Sequence, residues 1–478
     1  MKELAFLTIK ELKGLLESGE ITHEQMLNYF IERSEKHKDL GAVLETFDKD
    51  SILKDFKSLG PLAAIPGYIK DNISQKNRET TCASNMLKGF KSAYDATVIS
   101  RLKANGALLL GRANMDEFAM GSSGETSAYF KTQNPWARDC VPGGSSSGSA
   151  AAVAAGLAPW ALGTDTGGSV RQPAGMCGIV GLKPTYGLVS RNGVVAYGSS
   201  LDQVGVFSRS VYDNALVLSA MAGHDLKDSS SLSVEKKDYT QKLDGELKSD
   251  LKIGYVQEAL EGEGLHPEIK EKVQEALKVY EELGAKIIPI SLKTLEYGAA
   301  SYFIISRAEA ASNLARFDGV RYGNRDKARD LNEMYKNTRH DGFGQEVKAR
   351  ILVGNYVLSV GHAGEFYDNA QRVRRVIRKE FKDAFEKVDV LMMPSHSVPA
   401  FKVGEYDDDK LTMDLQDYFT APLNLAGIPG LSIPVGFTQD KKPVGMQLIG
   451  PHLSEGLLYQ TAYAYEQKTP WHTMHPEL

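Results

Sequence analysis

The sequence predicts an α/β protein, and two observations carry that expectation. Amphipathic or alanine-rich segments alternate with short apolar runs along most of the chain, as expected for helices packed on a sheet. Glycine is also unevenly placed: the chain has 45, clustered between Gly111 and Gly205. Glycine gives up the most backbone entropy on folding, so such a cluster signals tight turns or backbone brought close to a ligand. The 478 residues are enough for one large hydrophobic core.

Taken in order, the N-terminus reads as a helical hairpin. Thr8 with Glu11 and Thr22 with Gln25 have capping-box spacing. Leu12, Leu15 and Leu16 line one helix, and Met26, Leu27, Phe30 and Ile31 the next. Residues 1–60 therefore form a helical region lying on a larger body, 61–478. Within that body, GPLAAIPGYIKDNI (60–73) suggests a strand ending at Lys70 or Asp71. Residues 96–118 read as helix, glycine turn, strand and loop. A buried helix is expected at Ala151–Ala158, then a strand at 158–166. LKIGYV, the segment 264–283 and GAKIIPI read as strand, amphipathic helix and strand, a peripheral α/β unit near 250–300. Helices follow at about 302–317 and, as one long helix, 344–387. Strands are expected at 388–395, 431–437 and 445–450, and Ser454 is placed to cap a final helix. The whole is expected to form a large mixed twisted sheet flanked by helices.

Composition excludes several classes. The formal charge of -5, from 56 basic and 61 acidic residues, leaves no dominant basic face, so any nucleic acid is served through a partner. RVRRVIRK (372–379) reads as a solvated helix face. Cys82, Cys140 and Cys177 are odd in number, widely spaced and without a CxxC pair, which suits free thiols in a reducing compartment. The start, MKELAFLTIKELKGLL, lacks an apolar signal segment, and the apolar window at 150–162 is too short to span a bilayer. A cytoplasmic protein without membrane contact is expected. Neither a GxxxxGK[ST] phosphate loop nor HxxxH metal spacing occurs, so no cofactor or metal site is expected in this chain.

Two Gly/Ser segments carry the chemistry. GGSSSGSAAAVAAG (143–156) and GTDTGGSVRQPAG (163–175) flank one helix–strand unit that returns the chain to the same sheet edge. Ser145 and Ser169 are then candidate hydroxyls, and Lys70 is a candidate base. A lysine is a base only when neutral, which desolvation favours. Successive N–H groups in TDTGGS could hold an oxyanion. From the residues alone, Ser/Gly-rich turns and a lysine at a strand end are equally open to an ordinary structural role.

The two segments resemble the amidase signature family, and the resemblance extends over nearly the whole chain. It implies the amidase-signature fold and a Ser–cis-Ser–Lys triad: Ser169 as nucleophile, Ser145 as the bridging serine, Lys70 as base. It also implies an oxyanion cradle of the Thr166, Gly167, Gly168 and Ser169 backbone N–H groups. The family commonly has GGSSGGS, so Ser147 stands where a glycine is usual, and it strains the loop if that position needs positive φ. Ser146 is the neighbouring serine most easily mistaken for Ser145, with local backbone hydrogen bonding as its plainer role.

Four further blocks resemble the branch of the family that supplies ammonia in glutamyl-tRNA(Gln) amidotransferases. They are NMDEFAMGSSGETSAYFKTQNPW (114–136), RAEAASNLARFDGVRYG (307–323), GFGQEVKARILVGNYVLS (342–359) and DLQDYFTAPLNLAGIPGLSIPVGF (414–437). That resemblance implies that Arg350 grips the α-carboxylate of free glutamine and Asp417 its α-ammonium, with Tyr302 and Ser122 shaping the pocket. It implies an ATP-using B subunit, a small C subunit, and Glu-tRNA(Gln) held mainly by the former, with ATP and Mg²⁺ used there. GHAGEFYDNAQRVRR (361–375) departs from the branch's tyrosine-rich run, and His362 within it reads as a surface or helix-packing residue. A stand-alone amidase of the same family is the alternative reading.

Overall fold

The computed structural model describes residues 3–54, 56, 59–262 and 264–478. Its strands are β1 Val43–Thr46, β2 Pro66–Lys70, β3 Leu108–Ala113, β4 Trp160–Asp165, β5 Val180–Lys183, β6 Gln203–Ser208, β7 Lys252–Val256, β8 Lys286–Ile290, β9 Val390–Pro394, β10 Gly430–Phe437 and β11 Pro443–Ile449. They form a single sheet in the order β1-β3-β2-β4-β6-β5-β10-β11-β9-β7-β8. The sheet is mixed: β2 runs parallel to β3 and β4, and β7 parallel to β8 and β9. The other pairings are antiparallel. β2 to β6 and β9 are buried throughout. They read as continuous apolar or small runs because helices cover both faces. This is the mixed, helix-flanked sheet expected from the sequence.

The N-terminal helices Ile9–Glu17 and His23–Lys36 both begin with complete capping boxes, at Thr8/Glu11 and Thr22/Gln25. Ile9, Leu12, Met26, Leu27 and Phe30 are buried in the same apolar cluster as Trp160 and Val206 of the central strands. β7 and β8 continue the sheet beyond β9. Among the described residues no helix is long and apolar enough to cross a membrane.

Three expectations need correction. The stretch 344–387 is two helices, Gln345–Leu358 and Tyr367–Phe385. The first helix ends where Ser359 turns extended, at φ -69° and ψ 157°, and Gly361, at a φ of +93° that glycine adopts freely, then redirects the chain. Ser454 does not cap the last helix, Glu455–Lys468; its hydroxyl donates instead to the Pro451 carbonyl at 2.6 Å. The alanine-rich helix spans Ser147–Ala154, starting earlier than the alanines suggest.

Candidate active site

Lys70 is the last residue of β2, between β3 and β4. Its side chain is fully buried. Nζ lies 2.8 Å from Ser145 Oγ, 2.9 Å from Ser146 Oγ and 3.3 Å from the Thr164 carbonyl. No carboxylate hydrogen-bonds it among the described residues. Burial pushes the ammonium down to about 7, against the opposing fields of Asp116, Asp165 and Asp202. A lysine held in this way is substantially neutral near neutral pH.

The loop carrying Ser145 is shaped by small residues. The Gly144–Ser145 peptide is cis. The Asp116 N–H donates to the Ser145 carbonyl at 3.0 Å, and the Gly144 N–H to Gln172 Oε1 at 3.0 Å. A Cβ on Gly144 would come 2.1 Å from Asp116 Oδ2, so glycine alone fits this approach. Asp116 in turn accepts from the Gly124 and Thr126 N–H groups. Ser147 is the first residue of its helix and is absent from the positive-φ positions, so it brings no backbone strain. Its hydroxyl lies 3.2 Å from Thr132 Oγ1, and its Cβ fills the space beside Gly124. Ser146 does more than bond locally, because it contacts Lys70 as well as the Thr164 carbonyl.

Ser169 lies in the turn after β4. Its carbonyl accepts from the Ser146 N–H at 3.3 Å, which stitches the two Gly/Ser segments together. A buried charge pair supports this turn. Arg171 donates Nε and Nη2 to the two carboxylate oxygens of Asp165, each at 3.0 Å. Its remaining protons reach the Thr420 carbonyl, Gln447 Oε1 and Asn424 Oδ1. Burial opposes ionisation of Asp165, but Arg171 holds the carboxylate below its ordinary range. Asp165 also accepts from the Gly168 N–H at 2.9 Å and the Val170 N–H at 3.2 Å.

The Gly168 bond corrects one expectation, since that N–H is already committed to Asp165 and does not face an oxyanion. The Gly167 and Ser169 N–H groups donate to no protein acceptor among the described residues. Thr166 is held through its hydroxyl, which donates to Asp202 Oδ1 at 2.7 Å.

A cavity of about 380 Å³ lies between the 121–126 loop and the helix that carries Arg350. Ser122, Arg307, Glu346, Arg350 and Asp414 contribute to its wall. Arg350 projects from helix Gln345–Leu358. Its Nε donates to Glu346 Oε1 at 2.7 Å and its Nη1 to Tyr197 Oη at 2.8 Å. Asp417 lies 3.5 Å from the Ser122 hydroxyl through both oxygens. Desolvation raises its carboxyl to about 7, although Arg350 pulls the other way. The Tyr302 ring packs on Gly167, where a Cβ would meet ring Cζ at 2.4 Å. Pairwise contacts link these groups: Ser146 joins Lys70 to Ser169, Tyr302 packs on Gly167, and Asp417 lies by Gly168 and Ser122; of the predicted residues, Ser122 and Arg350 line the cavity.

Other candidates lie elsewhere. His362 lies against Tyr356, with ring centres 4.4 Å apart and the rings tilted by 30°. Arg374 clamps the Leu425 and Ser200 carbonyls, while Arg372, Arg375, Arg378 and Lys379 lie along the same helix, with Lys379 paired to Asp383. Cys82, Cys140 and Cys177 are buried free thiols. Among the described residues no group of three or more His, Cys, Asp or Glu side chains converges as a metal site.

Sequence reasoning passed over Tyr197, Glu346, Asp165 and Arg171. The last two could have been found, because they are the only charges in a motif of small residues around Ser169. Tyr197 and Glu346 carried no local signal.

The same arrangement of chain occurs in known proteins. The model of the amidase family matches residues 25–459. The A subunit of glutamyl-tRNA(Gln) amidotransferase from Halothermothrix orenii is 50% identical over 479 residues, covering 100% of both chains. Its counterpart in a Picosynechococcus species is 54% identical over 440 residues, covering 91% of this chain and 90% of its own. The crystal structure of the Thermotoga maritima counterpart superposes with a TM-score of 0.85 at 38% identity, covering 100% of this chain and 98% of that one. The chain belongs to the amidase signature family, in the branch of the glutamyl-tRNA(Gln) amidotransferase A subunits.

Proposed function

We propose that this chain is the glutaminase component of a glutamyl-tRNA(Gln) amidotransferase, using Ser169, Ser145 and Lys70 as its catalytic triad. The contact that carries the reading is the buried Lys70 amine 2.8 Å from Ser145 Oγ, with no carboxylate hydrogen-bonded to it among the described residues. Neutral Lys70 accepts a proton from Ser145 as Ser145 takes one from Ser169 Oγ. A serine can relay in this way because its hydroxyl donates and accepts at once. Ser169 Oγ attacks the side-chain amide carbon of glutamine, and the carbonyl oxygen becomes an oxyanion. The Thr166, Gly167 and Ser169 N–H groups stabilise it; one such donor is worth roughly 3 kcal/mol. The proton on Lys70 returns through Ser145 to the leaving nitrogen, and ammonia departs. Water, deprotonated along the same path, cleaves the acyl-enzyme to glutamate and restores Ser169.

Arg350 and Asp417 select free glutamine by its α-carboxylate and α-ammonium, with Ser122 and Tyr302 as walls. A carboxyl near 7 becomes a full anion once an ammonium pairs with it. Ammonia then serves amidation of Glu-tRNA(Gln), whose carboxylate needs activation. That step belongs to a B subunit using ATP and Mg²⁺ and holding the tRNA, with a small C subunit completing a cytoplasmic heterotrimer.

The test is glutamine-dependent conversion of Glu-tRNA(Gln) to Gln-tRNA(Gln), with ATP and Mg²⁺, by the chain purified with its native partners. Conversion that disappears in Ser169→Ala is the expected result. A chain that purifies alone, hydrolyses other amides and leaves Glu-tRNA(Gln) untouched is a stand-alone amidase.

A further inference from the structure

Helix Gln345–Leu358 carries Arg350 but has no side-chain cap of its own, because Gly344 occupies the N-cap position. A helix N-terminus presents unpaired N–H groups and a partial positive charge. The group that meets this one comes from far away in sequence. Glu117, in the loop after β3, accepts from the Gly344 N–H at 2.8 Å through Oε2 and 3.1 Å through Oε1. A Cβ on residue 344 would come 2.2 Å from Oε2, so the carboxylate sits directly on the helix end.

Glu117 is buried, and no lysine or arginine hydrogen-bonds it among the described residues. Its other side-chain partner is the Ser84 hydroxyl, which also lies 3.1 Å from the Gly342 carbonyl. Burial raises the Glu117 carboxyl to about 7, and the hydrogen bonds from Ser84 and Gly344, with the field of Lys348 on the same helix, favour the charged form. Here the N–H is that of Gly344 at the helix start, and the O–H is that of Ser84, which also lies against the Gly342 carbonyl just before it. Arg350 follows Gly344 by six residues, about 9 Å along the axis. The guanidinium is then trimmed by Glu346 and Tyr197.

We propose that Glu117 is a positioning residue for glutamine selection: it anchors the start of helix Gln345–Leu358 and so sets where the Arg350 guanidinium meets the substrate carboxylate. The inference rests on the proposed role of Arg350. No member of the proposed triad hydrogen-bonds to the Glu117 side chain among the described residues, whose partners there are Ser84 and Gly344.

The experiment compares glutamine hydrolysis by the partner-bound enzyme carrying Glu117→Gln, Glu117→Ala or Arg350→Ala. Gln keeps the size and an acceptor oxygen but removes the charge; Ala removes both. The glutamine KM is expected to rise about threefold in Glu117→Gln and about tenfold or more in Glu117→Ala, with kcat within about twofold. An unchanged KM, or a fall in kcat as large as the rise in KM, overturns the inference. Arg350→Ala separates the two levels. If it leaves KM unchanged, the substrate reading of the pocket fails. If it raises KM while the Glu117 variants do not, the anchoring role alone fails. Should Glu117→Ala not fold, the KM of Glu117→Gln decides.

Discussion

The proposed triad region and the proposed glutamine pocket are built in opposite ways. The first is main-chain architecture: Lys70 ends a buried strand, and Ser145 and Ser169 lie on two turns tied by a backbone bond between Ser146 and Ser169. Small residues let those turns approach, and Asp165 with Arg171 fills the space below them. The pocket is made of side chains: Arg350, Glu346, Tyr197, Ser122 and Asp417 converge from four separated segments. The contrast teaches that the proposed reaction centre is held by strand ends and tight turns, whereas the proposed substrate contacts are held by side chains from a helix and separate loops. Damage to the first should remove kcat or the fold, and damage to the second should appear in KM.

The largest expected effect breaks the scaffold under the nucleophile. Arg171→Ala leaves Asp165 buried without its partner, at a cost of about 3–5 kcal/mol. Denaturant unfolding should show that loss, together with loss of glutaminase activity. Full stability in that variant would mean that the turn is held by its backbone alone.

Next comes the pocket. Arg350→Ala should raise the glutamine KM about a hundredfold, the equivalent of losing a charge-assisted bidentate contact, with unfolding unaltered to within about 1 kcal/mol. A fall in kcat with constant KM would erase the distinction between the two regions.

Acid pH should strike both regions, for different reasons. Lys70 must be neutral to accept a proton, and its pKa is lowered to about 7, so kcat should fall as pH drops below 7. Asp417 must be ionised to hold an ammonium, and its pKa is raised to about 7, so KM should rise over the same range. Asp417→Asn should remove the acid dependence of KM and leave that of kcat. A kcat flat from about pH 8 to about pH 5 would sink the neutral-lysine mechanism.

The smallest effect concerns Ser147. Since it occupies an ordinary helical position, Ser147→Gly should relieve no strain and should cost under about 1 kcal/mol, with kcat within about twofold. A gain in stability would show that the serine is a burden on the loop.

Much of the central chemistry was legible because it is local. The capping boxes at Thr8 and Thr22, the strand ending at Lys70 and the abrupt change from Ser/Gly to alanine around residue 147 are short-range patterns. The break after Leu358 was harder to see, because only the extended backbone of Ser359 ends the first helix. Ser454 had capping chemistry, yet a nearer carbonyl took its hydroxyl. Gly168 looked like its neighbours in TDTGGS, and only the placement of Asp165 shows that its N–H is already used.

By itself, the sequence determined the alternation of helix and strand, the run of small residues that lets two serine turns meet, and the residue types needed for acyl transfer. Those follow from steric size, periodicity and side-chain chemistry, which act over a few residues. Only the tertiary structure decided that Lys70 loses its water, that Arg171 neutralises Asp165, that Tyr197 and Glu346 orient Arg350, and that Glu117 meets the start of a helix 227 positions away in sequence. Desolvation and charge pairing depend on what surrounds a group in space, and that is settled only when distant segments pack.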